Sequence, residues 1–307
     1  LDANTTADNN TAVGYASLTA NTTGASNTAM GHSALAANTT ASFNTAVGLN
    51  SGNTLTTGAD NTLIGVSAGT SLTTGTLNVA VGRNALAGGA ATNRNVAIGN
   101  NTLQSVSAAS SVDSYNVAIG YSAGAAVSTG TQNTLIGGLA GDAITTASNN
   151  IAIGYNAGTA ITTGAENVAI GTNALLANTT GASNTAVGIY ALNANTTAAN
   201  NVAVGKNALT ANTTGSGNVA FGSEALSTNV AGSNSTAIGI DALKTQNPDS
   251  AADTDNTAVG YRAGLSVTTG VKNTLIGSLA GDATTTASNN TAVGFESLTT
   301  NTTGGQN

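Results

Sequence analysis

The feature that most restricts this chain is a five-residue phrase that returns at a fixed interval. Asn-Thr-Ala-Val-Gly first runs from Asn10 to Gly14. Close variants begin at Asn27, Asn44, Asn61, Asn78, Asn95, Asn116, Asn133, Asn150, Asn167, Asn184, Asn201, Asn218, Ser235, Asn256, Asn273 and Asn290. The interval is 17 residues, except for two of 21 that follow Asn95 and Ser235. A strict short period means that no unit can hide its apolar side alone and each must stack on its neighbours, which is how a solenoid is built.

Numbering the Asn as position 1, a full unit runs from Asn10 to Ser26. Position 5 is Gly in every unit, position 2 is Thr, Val or Ile, and position 4 is Val, Ile, Met30 or Phe221. Positions 1 to 5 therefore read as a short strand of branched residues, closed by a Gly free to take a positive φ. Positions 8 to 11 read as a second short strand. Positions 12 to 17, commonly Asn-Thr-Thr-Gly and two more residues, read as a turn. The expected fold is all-β, a parallel β-solenoid or β-roll of 17-residue coils. The richness in Gly, Thr, Asn and Val works against helix. No linker or shift of composition interrupts the pattern. Residues 1–307 are thus expected to form one continuous solenoid of about 17 coils, with long coils at 95–115 and 235–255. Leu1 falls in mid-repeat, Asn307 opens a further unit, and neither end carries an atypical capping repeat. We therefore expect a segment of a longer fibre.

The repeats carry information about their own interior. Ten units have Leu at position 9. The other seven have Gly there, at Gly52, Gly69, Gly124, Gly141, Gly158, Gly264 and Gly281. Six of those seven place an apolar residue three positions on, at Leu55, Leu72, Val127, Ile144, Ile161 and Val267; Thr284 is the exception. Position 3 is Ala except at Leu63, Leu135 and Leu275, each in a unit with glycine at position 9 that follows another of the same kind. One large side chain vanishes and another appears, as a densely packed interior requires. Positions 3, 9 and 12 are expected to share that interior.

Alternation points positions 2 and 4 the other way. Position 4 is nevertheless apolar throughout: Val13, Met30, Val47, Ile64, Val81, Ile98, Ile119, Ile136, Ile153, Ile170, Val187, Val204, Phe221, Ile238, Val259, Ile276 and Val293. A strand that is apolar on both sides is covered on both sides, and each such side chain gains roughly 1.5–3 kcal/mol on burial. The column is expected to be an interface with further copies of the chain, most simply three parallel chains around one axis. The opposite assignment, with positions 3 and 9 at the interface and 2 and 4 inside, also predicts an oligomer. Asn at position 1 either stacks its amides along the fibre or closes a turn.

The long coils place extra residues in an outer turn, at Gln104 to Tyr115 and Lys244 to Asp255, the second holding Pro248, the sole Pro. Insertions in solenoids gather on one surface that is often the binding face, or are simply tolerated loop growth. The segments that follow, Thr134 to Asp142 and Thr274 to Asp282, are almost the same sequence 140 residues apart.

The chemistry expected of this chain is meagre. Only 6% of residues are charged, the net charge of −7 is dispersed, and there is no Cys. That leaves no nucleic-acid footprint, no thiolate metal site and no cofactor motif. No apolar run approaches the ~20 residues of a membrane span. His32 is alone, so a nucleophilic triad has no parts. Asp249, Asp253 and Asp255 could form a carboxylate pair for glycan cleavage only if a groove held them, and Asp142 and Asp282 are each alone in their coils. We expect no enzyme. Aromatics recur at position 6, at Tyr15, Tyr121, Tyr155, Tyr261 and Phe295. There they either stack on sugars or cover a Gly-rich corner. Asn-Thr-Thr at Asn4, Asn21, Asn38, Asn178, Asn195, Asn212 and Asn301 is turn chemistry or, in a glycosylating host, a stripe of acceptors. Stacked Thr pairs are reminiscent of ice-binding solenoids, but a following Gly puts them in a turn.

The core Asn-Thr-Ala-Val-Gly-x-x-Ala-Leu resembles the head repeat of trimeric autotransporter adhesins. With Asn-Thr-Thr-Gly it also resembles repeats of phage tail fibres. The resemblance covers the whole chain. It implies a left-handed parallel β-roll wound as a homotrimer, extracellular on a virion or cell surface, with a cell-surface glycan or protein as receptor. The coil departs from the adhesin heads in having 17 residues, and the neck, coiled-coil stalk and membrane anchor of that family are not in this sequence. The leading expectation is the shaft or receptor-binding region of a tail fibre; the second is an adhesin head.

Overall fold

In the computed structural model, which describes residues 2–107 and 112–307, every repeat builds one three-residue strand from positions 2 to 4. The chain divides into two compact units, Leu1–Ala152 and Ile153–Asn307. In the first, eight strands from Thr11–Val13 to Thr134–Ile136 pair in parallel, each with the next. Their register never shifts: Thr11 lies opposite Thr28, Ala12 opposite Ala29 and Val13 opposite Met30. In the second, eight strands from Val168–Ile170 to Thr291–Val293 do the same. The strand Ile151–Ile153 lies at the division. Each unit is a parallel β-solenoid, about 16 turns in all at 17-residue spacing.

The strands stop after three residues because of the glycine at position 5. Its φ lies near +135°, as at Gly205, and the next coil's Gly carbonyl passes directly over its Cα. No L-residue holds that backbone without strain.

Positions 8 to 11 do not form the expected second strand. Positions 7 and 9 both sit in the left-handed region, at +56° for Ser33 and +49° for Leu35, and a strand cannot contain such residues. The segment is instead a stack of tight turns joined coil to coil. Leu35 N–H donates to Ser51 O (3.0 Å) and Ala37 N–H to Asn53 O (3.1 Å) in the following coil, while Ser33 N–H donates to Tyr15 O (2.8 Å) in the preceding one. These bonds hold Leu in a conformation that costs roughly 1–2 kcal/mol. They also explain why position 9 alternates between Leu and Gly alone. Leu fills the interior at the expense of strain, and Gly removes both.

The interior is built as the repeat pattern predicts. Positions 3, 8, 9 and 12 are buried, among them Leu35, Leu55, Leu63, Leu72, Leu135 and Leu275, each with no exposed surface. Leu63 occupies the room that two glycines leave. A methyl added at Gly52 would lie 2.7 Å from its Cδ1, and one at Gly69 would lie 2.8 Å from its Cδ2. We expect Leu63→Ala to cost about 2–5 kcal/mol, and Gly52→Ala to be destabilising through the clash. The double variant should lose about 1–3 kcal/mol less than the sum, measured by denaturant unfolding. Strict additivity would mean that the two sites do not share a cavity.

Position 1 points inward and builds a ladder. Asn44 N–H donates to Asn27 Oδ1 (2.9 Å), Asn61 N–H to Asn44 Oδ1 (3.0 Å) and Asn78 N–H to Asn61 Oδ1 (3.0 Å). A second buried ladder links several neighbouring coils that carry Asn at position 12, as from Asn38 Nδ2 to Asn21 Oδ1 (2.8 Å) and from Asn195 Nδ2 to Asn178 Oδ1 (2.8 Å). It stops where the next coil substitutes Leu55, and Asn38 Oδ1 is left without a partner.

Candidate interaction surface

Positions 2 and 4 lie outside, which rejects the assignment that put them in the core. Of the position-4 column, Val13, Met30, Ile64, Ile98, Ile119, Phe221, Ile238, Ile276 and Val293 are more than a third exposed, Phe221 at 55% and Val293 at 68%. Val47, Val81, Val187, Val204 and Val259 are half-buried. Within each unit the strand face thus presents a row of Val and Ile, flanked by Thr or Val of position 2, with almost no charge.

The chain turns at the glycine of position 5 and then exposes position 6. Tyr15 (78%), Tyr121 (60%), Tyr155 (56%), Tyr261 (45%) and Phe295 (70%) stand in water there. His32 also belongs to this row, exposed, with its ring 5.1 Å from that of Tyr15 and its Nδ1 3.0 Å from Ser33 Oγ.

Both insertions return to pair with the preceding coil. Val112–Asp113 pairs in parallel with Thr92–Asn93, and Ala252–Asp253 with Gly232–Ser233. Residues 108–111 of the first lie outside the described residues. An Asn–Asp hydrogen bond secures each return, Asn93 Nδ2 to Asp113 Oδ1 (3.2 Å) and Asn234 Nδ2 to Asp253 Oδ1 (3.0 Å). Asp249, Asp253 and Asp255 are all exposed, and Asp253 is taken up in this bond. Charges gather beside the second insertion. Lys244 Nζ meets Glu224 Oε2 (2.5 Å) and Asp241 Oδ1 (3.2 Å), and Arg262 Nε meets Asp241 Oδ2 (3.4 Å). The hydrogen bonds to Glu224 and then Asp241 hold the Lys244 pKa above its ordinary value. The Lys244–Glu224 pair, about a third exposed on each side, contributes little to stability. Burial pushes the Asp142 carboxyl up, opposed by hydrogen bonds from its own backbone and that of Ala143.

The Asn-Thr-Thr turns inside the units are not acceptor sites in the folded chain. Asn21, Asn38, Asn178, Asn195 and Asn212 are fully buried, and each donates its Nδ2 to the carbonyl three residues on, as Asn21 does to Gly24 O (3.0 Å). The first Thr after them is also occupied: Thr22 Oγ1 donates to Thr39 O (3.0 Å) and Thr179 Oγ1 to Thr196 O (3.2 Å).

Among the described residues no group of three or more His, Cys, Asp or Glu is placed to hold a metal ion, and no helix is long and apolar enough to cross a membrane. No protein-family model matches the chain, and no curated protein or solved structure compared with it matches either.

Proposed function

We propose that this chain is the shaft or receptor-binding part of a non-enzymatic, extracellular adhesive fibre in which copies associate in parallel along the position-4 column, most simply as a homotrimer. The observation that carries the reading is that apolar column. Isolated surface hydrophobics need no explanation, but a contiguous apolar strip marks an interaction site. A second copy is the occupant that best fits it. The strip repeats with the period of the chain itself, so a parallel copy in register offers Val, Ile, Met or Phe at every level. The likeness of the repeats to those of tail fibres and adhesin heads supports the same reading.

The absence of Cys makes the test direct. A Phe221→Cys chain should oxidise to covalent dimers in high yield, because in-register copies bring the same residue together. Thr180→Cys, on the exposed turn, should not. The native mass should be three times the 29.3 kDa of one chain. A single-chain mass for the parent protein, or cross-linking at Thr180 but not at Phe221, would remove the proposal.

A further inference from the structure

This chain keeps none of its aromatic side chains in the core. All nine, six Tyr and three Phe, are at least 42% exposed, and five of them occupy the single repeat position 6. Aromatic rings ordinarily supply much of a core's buried area. Here Leu, Ile, Val and Ala fill the interior, so the rings are free to serve the surface. We propose that the position-6 row of the second unit, Ile240, Tyr261, Ser278 and Phe295, is a platform for an extended, β-linked polysaccharide running along the stacking direction. The inference rests on the adhesive reading above and names the ligand class that reading leaves open.

The spacing carries the argument. Arg262 N–H donates to Ile240 O (2.9 Å), Leu279 N–H to Tyr261 O (2.9 Å) and Glu296 N–H to Ser278 O (3.0 Å). Successive position-6 residues are therefore fixed one coil apart, about 4.8 Å. That rise is close to the length one pyranose ring adds to an extended β-linked chain. Tyr261 and Phe295, two coils apart, would meet alternate sugar rings, which in such a chain present the same face. Ser278 between them is small and leaves the intervening sugar unobstructed. The same large–small–large order recurs in the sequence at Tyr121, Gly138 and Tyr155.

Polar groups flank the row where sugar hydroxyls would fall. The Arg262 guanidinium lies 5.0 Å over the Tyr261 ring and is held by Asp241 (3.4 Å), while the tyrosine stays 45% exposed. Glu296 follows Phe295 directly. Mixed signs and few charges suit a neutral polysaccharide better than a polyanion.

Affinity electrophoresis through native gels containing a soluble β-linked glucan, with an α-linked dextran in parallel, tests the proposal. The parent chain should be retarded by the β-linked polymer alone. Tyr261→Ala and Phe295→Ala should each weaken retention about tenfold, the loss of one stacked ring, while native mass and melting temperature stay at parent values. Absence of retardation, equal retardation of the variants, or a fall in native mass on removing the rings would overturn it; the last would assign the rings to contacts between chains. A parent that is a single chain yet retarded keeps the platform and sinks the oligomer. One that associates but runs unretarded does the reverse.

Discussion

Gly205→Ala should destabilise the second unit by at least about 3 kcal/mol. Gly205 has φ of +135°, and an added Cβ would lie 2.5 Å from Gly222 O and 2.6 Å from Gly222 C. Both atoms are backbone in a neighbouring coil, so neither can swing aside. The coil could relieve the overlap only by moving away from its neighbour, which breaks the bond from Gly222 N–H to Val204 O (2.8 Å) and those beside it. Gly294→Ala separates the two causes. Its φ is +130°, but the nearest atom to its added Cβ is Ser297 Cβ at 4.0 Å. Gly294→Ala should therefore show the dihedral strain alone, and the difference between the variants measures the close stacking. Because a solenoid's stability is a sum of coil terms and neighbour terms, the loss at Gly205 should also appear as faster amide exchange in the coils on either side. Melting of Gly205→Ala within a degree or two of the parent would mean that the stacked glycines are not what fixes the coil.

This glycine was readable from the sequence, since only a backbone demand explains one residue type in all seventeen units. The exchange of volume among Leu63, Gly52 and Leu55 was readable for the same reason: seventeen versions of one site show which positions compensate. The misread second strand marks the limit. An apolar position such as Leu35 says nothing directly about its dihedral angle, and burial was satisfied equally by a strand or a turn. The available signal was that position 9 admits Leu or Gly and nothing between them. A second was the frequency of Asn at position 7, as at Asn50, Asn84 and Asn101, since Asn tolerates the left-handed region. The Asn-Thr-Thr turns were ambiguous because the same three letters serve an exposed acceptor and a buried ladder. Only the position of Asn21 relative to the core decides between them. The outward face of position 4 followed from alternation.

The amide ladder at position 1 gives the second large effect, and one coil already contains the experiment in natural form. Asn78 is fully buried, and its N–H and side chain take part in five hydrogen bonds. Its N–H and Nδ2 donate to Asn61 Oδ1 (3.0 and 3.1 Å), and Nδ2 also donates to Thr92 O (2.8 Å). Its Oδ1 accepts from Asn95 N–H (3.0 Å) and Asn95 Nδ2 (3.1 Å). Ser235 is the one exception to Asn at this position, and its Oγ is too short to span the same gap. Gln246, also fully buried, fills it. Its Oε1 accepts from Asn256 Nδ2 (2.9 Å), the bond that an Asn Oδ1 receives elsewhere, and its Nε2 donates to Ser235 Oγ (3.1 Å) and Thr254 Oγ1 (3.2 Å). The Ser and the Gln are thus one substitution in two places. Asn78→Ser has no such helper and should cost about 3 kcal/mol or more, since it strands the Asn95 N–H and the Thr92 carbonyl at about 1–3 kcal/mol each. Gln246→Ala should cost about 1–3 kcal/mol through the lost bonds and the room left in the core, although Asn256 Nδ2 keeps its bond to Gly270 O (2.8 Å) and the Ser235 and Thr254 hydroxyls keep each other (2.6 Å). Chemical unfolding of the two variants checks both figures. A tolerated Asn78→Ser would show that water or a relaxed backbone can stand in for the ladder, and the Gln246 network would then be ornament to the coil rather than its support.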